Sequence, residues 1–270
     1  MKATFLIDNI ASGDLKGEWG LSVFIENNGK KILLDAGTTG DFVDNADKLG
    51  IDLAGVDVAV LSHAHYDHAD GFLKFFERNE KASLMVREGT DENCFHKFVI
   101  RKKYIGVKKG MLSEYSDRIE YVSGDYEIFD GVYLVPHKTP NLQSIGRKAG
   151  MYIIKGGRLV PDDFSHEQSL VIRTGKGLVI FNSCSHGGAD NIINEIVRTF
   201  PEDKVYALIG GFHLFLSSDK CVRKLAEGIR ETGIEMILTG HCTGERAYNI
   251  LKSDLKDRAE QIRTGLVFEA

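Results

Sequence analysis

The chain has 270 residues, 43% hydrophobic and 27% charged, with 34 Lys and Arg, 39 Asp and Glu, and a net charge of −5. This composition is typical of a globular domain, and its mild acidity disfavours nucleic acid as a partner. No apolar run approaches the roughly 18 residues of a membrane-spanning helix, so no membrane association is expected. Asp8 interrupts the apolar residues at the N-terminus, so no secretory signal is expected. The four Cys form no C-x-x-C motif, and we therefore expect a cytoplasmic protein.

Short apolar runs separated by turn residues predict a strand-rich first half. Strands are predicted at residues 4–7, 21–26, 31–35 and 56–62, and helices at 41–49 and 70–78. In the second half, strands are predicted at 119–122, 132–135, 169–173, 178–182, 205–209 and 235–239, and helices at 189–199, 219–231 and 244–254. Strands followed by helices in both halves favour an α/β fold with two β-rich layers covered by helices.

Residues 90–118 differ from the rest of the chain. They combine few regular patterns with several aromatic residues and a set of cations that includes Arg101, Lys102, Lys103, Lys108 and Lys109. Elsewhere no Pro- or Ser-rich linker interrupts the sequence. We therefore predict a single domain over residues 1–270 with a lid-like insertion around 90–118, whose cations would attract an anionic substrate if the lid covers the active site.

Three histidines and a carboxylate follow the predicted strand at 56–62: His63, His65, Asp67 and His68, here called the histidine motif. In extended backbone, His63 and His65 point to the same side because side chains alternate, while Asp67 and His68 lie at the turn into the next helix. One metal ion can therefore bind the first pair and a second ion the other pair. Imidazole and carboxylate suit zinc, iron or manganese, and the scarcity of Cys favours a catalytic over a structural site.

The histidine motif, preceded by Leu33-Leu34-Asp35-Ala36-Gly37, resembles the metallo-β-lactamase superfamily. This resemblance implies a four-layer αββα sandwich with a dinuclear metal site at one edge. Later segments around His186 and His241 are similar to the motifs with which the superfamily returns metal ligands from its second half. The resemblance covers the chain apart from residues 90–150.

Three further segments resemble one subgroup of the superfamily: Glu18-Trp19-Gly20-Leu21-Ser22, Cys184-Ser185-His186-Gly187 and Gly210-Gly211-Phe212-His213-Leu214. The subgroup contains metal-dependent hydrolases and the proteins similar to the archaeal dihydropterin-ribofuranosylaminobenzene 5′-phosphate synthase of methanopterin biosynthesis. Its members usually carry His where this chain has Trp19.

The resemblance also implies roles for single residues. Asp35 is expected to orient the metal cluster, with capping of the following helix as the alternative. His186 and His241 are the expected ligands from the second half. Cys184 stands where many members have a bridging Asp, so it is either a further ligand or a small buried residue.

The remaining histidines divide by their surroundings. His166 is either a replacement ligand or a polar loop residue. His213 follows two glycines and a Phe at a strand end, which favours an active-site role as a substrate contact or proton donor. His96 and His137 are interpreted as structural or loop residues, and Cys242, beside His241, as a packing residue.

We therefore predict a dinuclear metal-dependent hydrolase, in which a hydroxide bridging two divalent ions attacks an ester, phosphodiester or similar bond of a small anionic substrate. Zinc is the first expectation, with iron or manganese as alternatives. Asp67 is expected to receive the proton and His213 to assist the leaving group. The alternatives are a metal-dependent transferase resembling the synthase above, which would activate a pterin, and a non-catalytic metal-binding protein. The oligomeric state stays open.

Overall fold

The computed structural model describes residues 1–99 and 101–270, which form two compact units. The first unit comprises Met1–Ser123, Pro140–Glu167 and Thr264–Glu269. The second comprises Gly124–Thr139, Gln168–Arg263 and Ala270. The organisation of the chain as a single domain stays a prediction.

A mixed sheet forms the main layer of the first unit. In spatial order its strands are β18 (Val267–Glu269), β1 (Lys2–Ile7), β2 (Ser22–Asn27), β3 (Lys30–Leu34), β4 (Val58–Val60), β5 (Ser83–Arg87) and β8 (Ile119–Val122). β2 and β3 form a hairpin, with Asn28 and Gly29 at φ 48° and 76°, a region that Asn and Gly tolerate best.

Parallel pairing in this sheet positions the histidine motif. β3 pairs with β4 and β4 with β5 in parallel, so their carboxyl ends lie at one edge. Asp35 follows β3 and donates its backbone N–H to Val60 O at 2.9 Å, while Ser62 and His63 follow β4. Residues from two distant sequence segments therefore meet beyond the same strand ends.

The helices of the first unit are short. They are α1 (Asp41–Lys48), α2 (Tyr66–Ala69), α3 (Phe72–Arg78), α4 (Met111–Glu114) and α5 (Leu142–Ala149). The helices predicted at 41–49 and 70–78 correspond to α1 and α3, and the three Phe side chains of α3 are buried in the core. Gly71, before α3, packs so tightly that a Cβ there would lie 1.9 Å from Ala36 O, which holds α3 against the end of β3.

The segment predicted as a lid-like insertion contains regular structure. β6 (Cys94–Phe98) and β7 (Arg101–Tyr104) form a hairpin that continues into β11 (Met151–Lys155) and β12 (Arg158–Pro161). The sequence of the hairpin shows little alternation of apolar and polar residues, because much of the hairpin is exposed and cationic. The segment also reaches the histidine motif, since Tyr66 N donates to Ile105 O at 3.0 Å. A lid function stays a prediction.

The second unit is built on another mixed sheet. In spatial order its strands are β17 (Ala259–Gln261), β16 (Met236–Thr239), β15 (Val205–Gly210), β14 (Gly177–Phe181), β13 (Gln168–Thr174), β10 (Val132–Pro136) and β9 (Tyr126–Phe129). The four strands from β14 to β17 run parallel, so their carboxyl ends share one edge.

Amphipathic helices complete the second unit. They are α6 (Ala189–Thr199), α7 (Asp219–Glu231) and α8 (Glu245–Leu255), close to the predicted ranges, and their apolar residues are buried with those of the sheet. Within the described residues of either unit, no helix is both long and apolar enough to cross a membrane.

A buried carboxylate fastens the segment after β10 to α6. Lys138 N donates to Glu195 Oε1 at 3.0 Å, Thr139 Oγ1 donates to the same oxygen, and His137 Nδ1 lies 3.3 Å from Oε2. Burial by itself would raise the pKa of Glu195, but the hydrogen bond and charge of His137, together with the other donors, lower it below the ordinary 4.5. His137, expected from the sequence to be a loop residue, thus contacts α6 through Glu195.

This lowered pKa predicts a pH-dependent stability. The carboxylate stabilises the folded state fully above the unfolded-state pKa of about 4.5, and this stabilisation disappears as pH falls through the lower folded-state pKa. We expect Glu195→Gln to be less stable than wild type at neutral pH, with the difference shrinking in acid. Urea unfolding over a pH series measures this, and a difference that stays constant with pH would contradict it.

Candidate metal centre

The histidine motif occupies the loop after β4 and the first turns of α2. His63 and His68 are fully buried, His65 is 4% exposed and Asp67 8% exposed. The ring centroid of His63 lies 4.6 Å from that of His65 and 4.2 Å from that of His68, and Asp67 Oδ2 lies 4.0 Å from His68 Nε2. The structure thus brings the predicted ligands of the first unit together in a dry environment.

Asp35 organises two of these imidazoles. Its Oδ1 accepts the Ser62 N–H at 2.8 Å, and its Oδ2 accepts both the Ser62 hydroxyl at 2.7 Å and His68 Nδ1 at 2.7 Å. Asp35 is fully buried and has a φ of 56°, which is an unfavourable backbone conformation for a residue other than Gly. Such a conformation persists only when the surrounding contacts hold it in place. It does not cap α1, whose N-cap residue is Gly40.

The same network fixes where the imidazole protons lie. The single hydroxyl proton of Ser62 goes to Asp35, so Ser62 Oγ accepts from His63 Nδ1 at 2.8 Å. His68 likewise donates from Nδ1 to the carboxylate. Both rings therefore carry their lone pair on Nε2, the tautomer that a metal ligand with an Nδ1 partner needs.

His166 is placed beside the motif by a contact between distant segments. It is 1% exposed, its Nδ1 accepts the Ala64 N–H at 3.2 Å, and its Nε2 lies 3.1 Å from Asp162 Oδ2. Because Nδ1 accepts, the ring proton lies on Nε2 and is donated to Asp162, which also accepts the Phe164 N–H. The pair of Asp162 and His166 therefore holds the backbone amide of Ala64, which lies between His63 and His65.

This contact predicts an asymmetric pair of variants. His166→Ala removes the acceptor of the Ala64 amide and is expected to weaken metal binding about tenfold, the lower end for residues that orient ligands. His166→Asn keeps an acceptor near the Nδ1 position and is expected to restore most of that affinity. Metal dissociation constants from chelator competition measure both, and equal losses in the two variants would contradict a role through the amide.

A second set of candidate ligands follows the parallel strands of the second unit. This second-unit cluster consists of Cys184, His186, His213, His241 and Cys242. The ligand atoms of Cys184, His186 and His213 lie within 4.8 Å of one another, as do those of Cys184, His241 and Cys242. Ser185, His213 and His241 have φ values of 48°, 49° and 45°, so the backbone is strained where the side chains converge.

Cys242 is more than a packing residue. Its Sγ lies 3.3 Å from Cys184 Sγ and accepts the backbone N–H of His213 at 3.2 Å. Burial by itself would raise the pKa of the Cys242 thiol, but the hydrogen bond with Cys184 and the neighbouring His241 and His213 lower it well below its usual range. This position thus gains polar contacts that the sequence analysis did not anticipate.

His213 and His96 occupy different surroundings. His213 is half-buried, with its ring centroid 4.8 Å from that of His186, so it accompanies the predicted ligand of its own unit. His96 lies on β6, and its ring centroid is 4.1 Å from that of Phe98. A packing contact on that hairpin agrees with the structural interpretation of His96.

The donor chemistry of both units fits metal ions. Three closely spaced buried imidazoles would be costly to bury as cations, whereas metal ligation needs them neutral with a lone pair exposed to the ion. Asp35 and Ser62 enforce this state at His63 and His68. Imidazole, carboxylate and thiolate in these sets suit zinc, and the nitrogen and oxygen donors also suit iron or manganese.

Three residues with functional contacts escaped the sequence analysis. Ser62 could have been found from a local signal, because its hydroxyl directly precedes the first His of the motif. Asp162 precedes His166 by four residues, a spacing that could have suggested the pair. The contact of Cys242 with Cys184 spans 58 residues and leaves no local pattern.

The sequence of the chain is similar to those of known proteins. Residues 20–147 match the sequence model of the metallo-beta-lactamase superfamily. The chain is 29% identical over 269 residues to 7,8-dihydropterin-6-methyl-4-(beta-D-ribofuranosyl)-aminobenzene-5′-phosphate synthase of Methanocaldococcus jannaschii, covering 93% of this chain and 89% of that protein. It is 31% identical over 245 residues to uncharacterized protein MJ0448 of the same organism, covering 90% of each.

Among solved structures, the chain is similar to Tm1679, a metal-dependent hydrolase of the beta-lactamase superfamily. The two share 30% sequence identity with a TM-score of 0.86, covering 100% of this chain and 99% of that chain. The α/β fold class predicted from the strands and helices of both halves is thereby confirmed.

Proposed function

Because the chain belongs to the metallo-β-lactamase superfamily, we propose that it is a metal-dependent hydrolase that binds two divalent metal ions, zinc in the first place. The observation that carries the proposal is the Asp35–Ser62 network, which turns the Nε2 lone pairs of His63 and His68 outward from the carboxylate. A network of this kind fixes the ring orientation of metal-ligating histidines and raises their basicity.

The proposed ligands are His63, His65, Asp67 and His68 in the first unit and His186 and His241 in the second. When bound, divalent ions lower the pKa of water and polarise the bond to be cleaved. Asp67 is the proposed proton acceptor, since its carboxylate is close to His68 and is not entirely buried. His213, half-buried and near His186, is proposed to protonate the leaving group.

The proposed substrate is a small anionic molecule with an ester, phosphodiester or similar bond. The support is the cationic hairpin of β6 and β7, where Arg101, Lys102 and Lys103 are exposed. Two hydrogen bonds join the residues after this hairpin to α2 and its C-cap: Tyr66 N donates to Ile105 O, and Lys108 N donates to Asp70 Oδ1 at 2.8 Å. A positive potential on this segment would raise the local concentration of an anion.

A second candidate function is a synthase reaction on a dihydropterin. The full-length similarity to the synthase of M. jannaschii favours it. In that case the chain would join a dihydropterin to a ribofuranosylaminobenzene phosphate rather than add water to a bond. The same candidate ligands would serve both reactions, so the distinction requires product analysis.

One experiment separates these functions. Elemental analysis of protein purified with and without added zinc, iron or manganese is expected to give about two metal ions per chain. The loaded protein is then assayed with phosphodiester, thioester and lactone substrates, and separately with the two synthase precursors. Cleavage without condensation supports the hydrolase, condensation without cleavage supports the synthase, and full metal uptake without any turnover would leave only metal binding.

A further inference from the structure

Two cysteines of the second unit lie in direct contact. Cys184 follows β14 and Cys242 follows β16, and their sulfur atoms are 3.3 Å apart. A disulfide bond is about 2.05 Å long, so bond formation needs the sulfurs to approach by only about 1.3 Å. Rotation of the two short side chains, with small backbone adjustment, can provide a shift of this size.

A glycine creates the space for this contact. β15 lies between β14 and β16, and Gly211 directly follows it. A Cβ at Gly211 would lie 2.5 Å from Cys242 Sγ and 2.8 Å from Ser183 O. Any side chain at this position would displace the Cys242 sulfur, so the glycine allows thiols from two non-adjacent strands to meet over the strand between them.

We propose that Cys184 and Cys242 form an oxidative modification site, at which a small hydroperoxide converts the two thiols into an intramolecular disulfide. One sulfur attacks the terminal peroxide oxygen, so that an S–O bond forms, the O–O bond breaks and the thiol proton leaves with the first product water or alcohol. The second sulfur then attacks the sulfenic acid. The S–S bond forms, the S–O bond breaks and water leaves, so two thiols lose the two electrons that the peroxide gains.

The surroundings favour this reaction over others. Cys184 and Cys242 are 3% and 1% exposed, which keeps bulky oxidants and the cysteines of other chains away, so we expect only a small oxidant such as hydrogen peroxide to react. The His213 N–H donates to Cys242 Sγ and holds this sulfur beside that of Cys184. Cys221, in contrast, is exposed on α7.

Oxidation would also change the backbone position of the loop at residues 213–215. Leu214 N and Phe215 N both donate to the carbonyl oxygen of Cys242, at 2.9 and 3.1 Å. A shift of Cys242 toward Cys184 is therefore transmitted to residues 213–215. The inference itself rests on the thiol contact and holds whether or not the chain is a hydrolase.

Mass spectrometry of the full-length protein as purified tests the proposal. After reduction and exposure of the folded protein to hydrogen peroxide, we expect an intact mass lower by about 2 Da, reversible by dithiothreitol. Titratable thiols in denaturant should fall from four to two. A peptide map without reduction should show Cys184 joined to Cys242. Oxygen adducts of about 16 Da without cross-linking, a cross-link through Cys94 or Cys221, or an unchanged protein would overturn it.

Matched serine variants sharpen the result. Cys184→Ser and Cys242→Ser should each lose the mass decrease, whereas Cys221→Ser should retain it and end with one titratable thiol after oxidation. The wild-type peptide map decides the question even if a buried serine variant folds poorly. Because every readout is a mass or a thiol count, failure of this proposal is distinguishable from failure of the proposed hydrolase.

Discussion

Replacement of His68 by alanine is expected to reduce metal content and to lower kcat/KM by about 10³-fold. The metal ions are worth several kcal/mol of charge stabilisation in such reactions, and each 1.36 kcal/mol corresponds to about tenfold in rate. His68 is fully buried, and its Nδ1 is committed to Asp35, which leaves Nε2 as the ligand atom. Elemental analysis and steady-state kinetics on whichever substrate is turned over measure the two effects.

His96→Ala is the matched control for this variant. It removes another imidazole from the first unit, but His96 lies on β6 against Phe98 and belongs to no proposed ligand set. We expect it to keep wild-type metal content and turnover. A His68→Ala protein that stays fully metal-loaded and fully active would refute the proposed metal centre.

Asp35→Asn is expected to weaken metal binding 10- to 100-fold, although the side chain keeps its size. Both carboxylate oxygens accept hydrogen bonds: Oδ1 from the Ser62 N–H, and Oδ2 from Ser62 Oγ and His68 Nδ1. An amide therefore directs its NH2 group at a donor in either orientation. If that group faces His68, Nδ1 must accept and the ring proton moves to Nε2, the atom proposed to bind metal.

Two measurements distinguish this effect from a general loss of stability. Chelator competition gives the metal affinity, and ¹⁵N shifts of the His68 ring in the metal-free protein report its tautomer. Asp41→Asn is a matched control, because it removes the same charge from a partly exposed acid paired with Lys16. Wild-type affinity and tautomer in Asp35→Asn would show that the carboxylate does not control the ring.

The histidine motif and the main elements were predictable because both are local in sequence. Apolar periodicity marks β1 to β4, α1, α3 and the helices of the second unit, all found close to their predicted ranges. The strands that were not predicted are β5, β6, β7, β9, β11, β12, β17 and β18. The exposed cationic faces of β6 and β7 obscure alternation, and β17 and β18 are short strands at sheet edges. Periodicity is weak in short or edge strands, so their existence depends on pairing partners.

The sequence by itself determined which functional groups are available. These are a run of imidazoles and a carboxylate after one buried strand, and Asp35 at the end of another. Tertiary structure alone decided how these groups are used. Parallel pairing of β3 with β4 brings Asp35 to Ser62, and a contact across 102 residues brings His166 to the Ala64 amide. In the second unit, Gly211 lets Cys184 meet Cys242. Local sequence patterns report which face of an element is buried, but proton placement and thiol pairing depend on distances between strands that are remote in the chain.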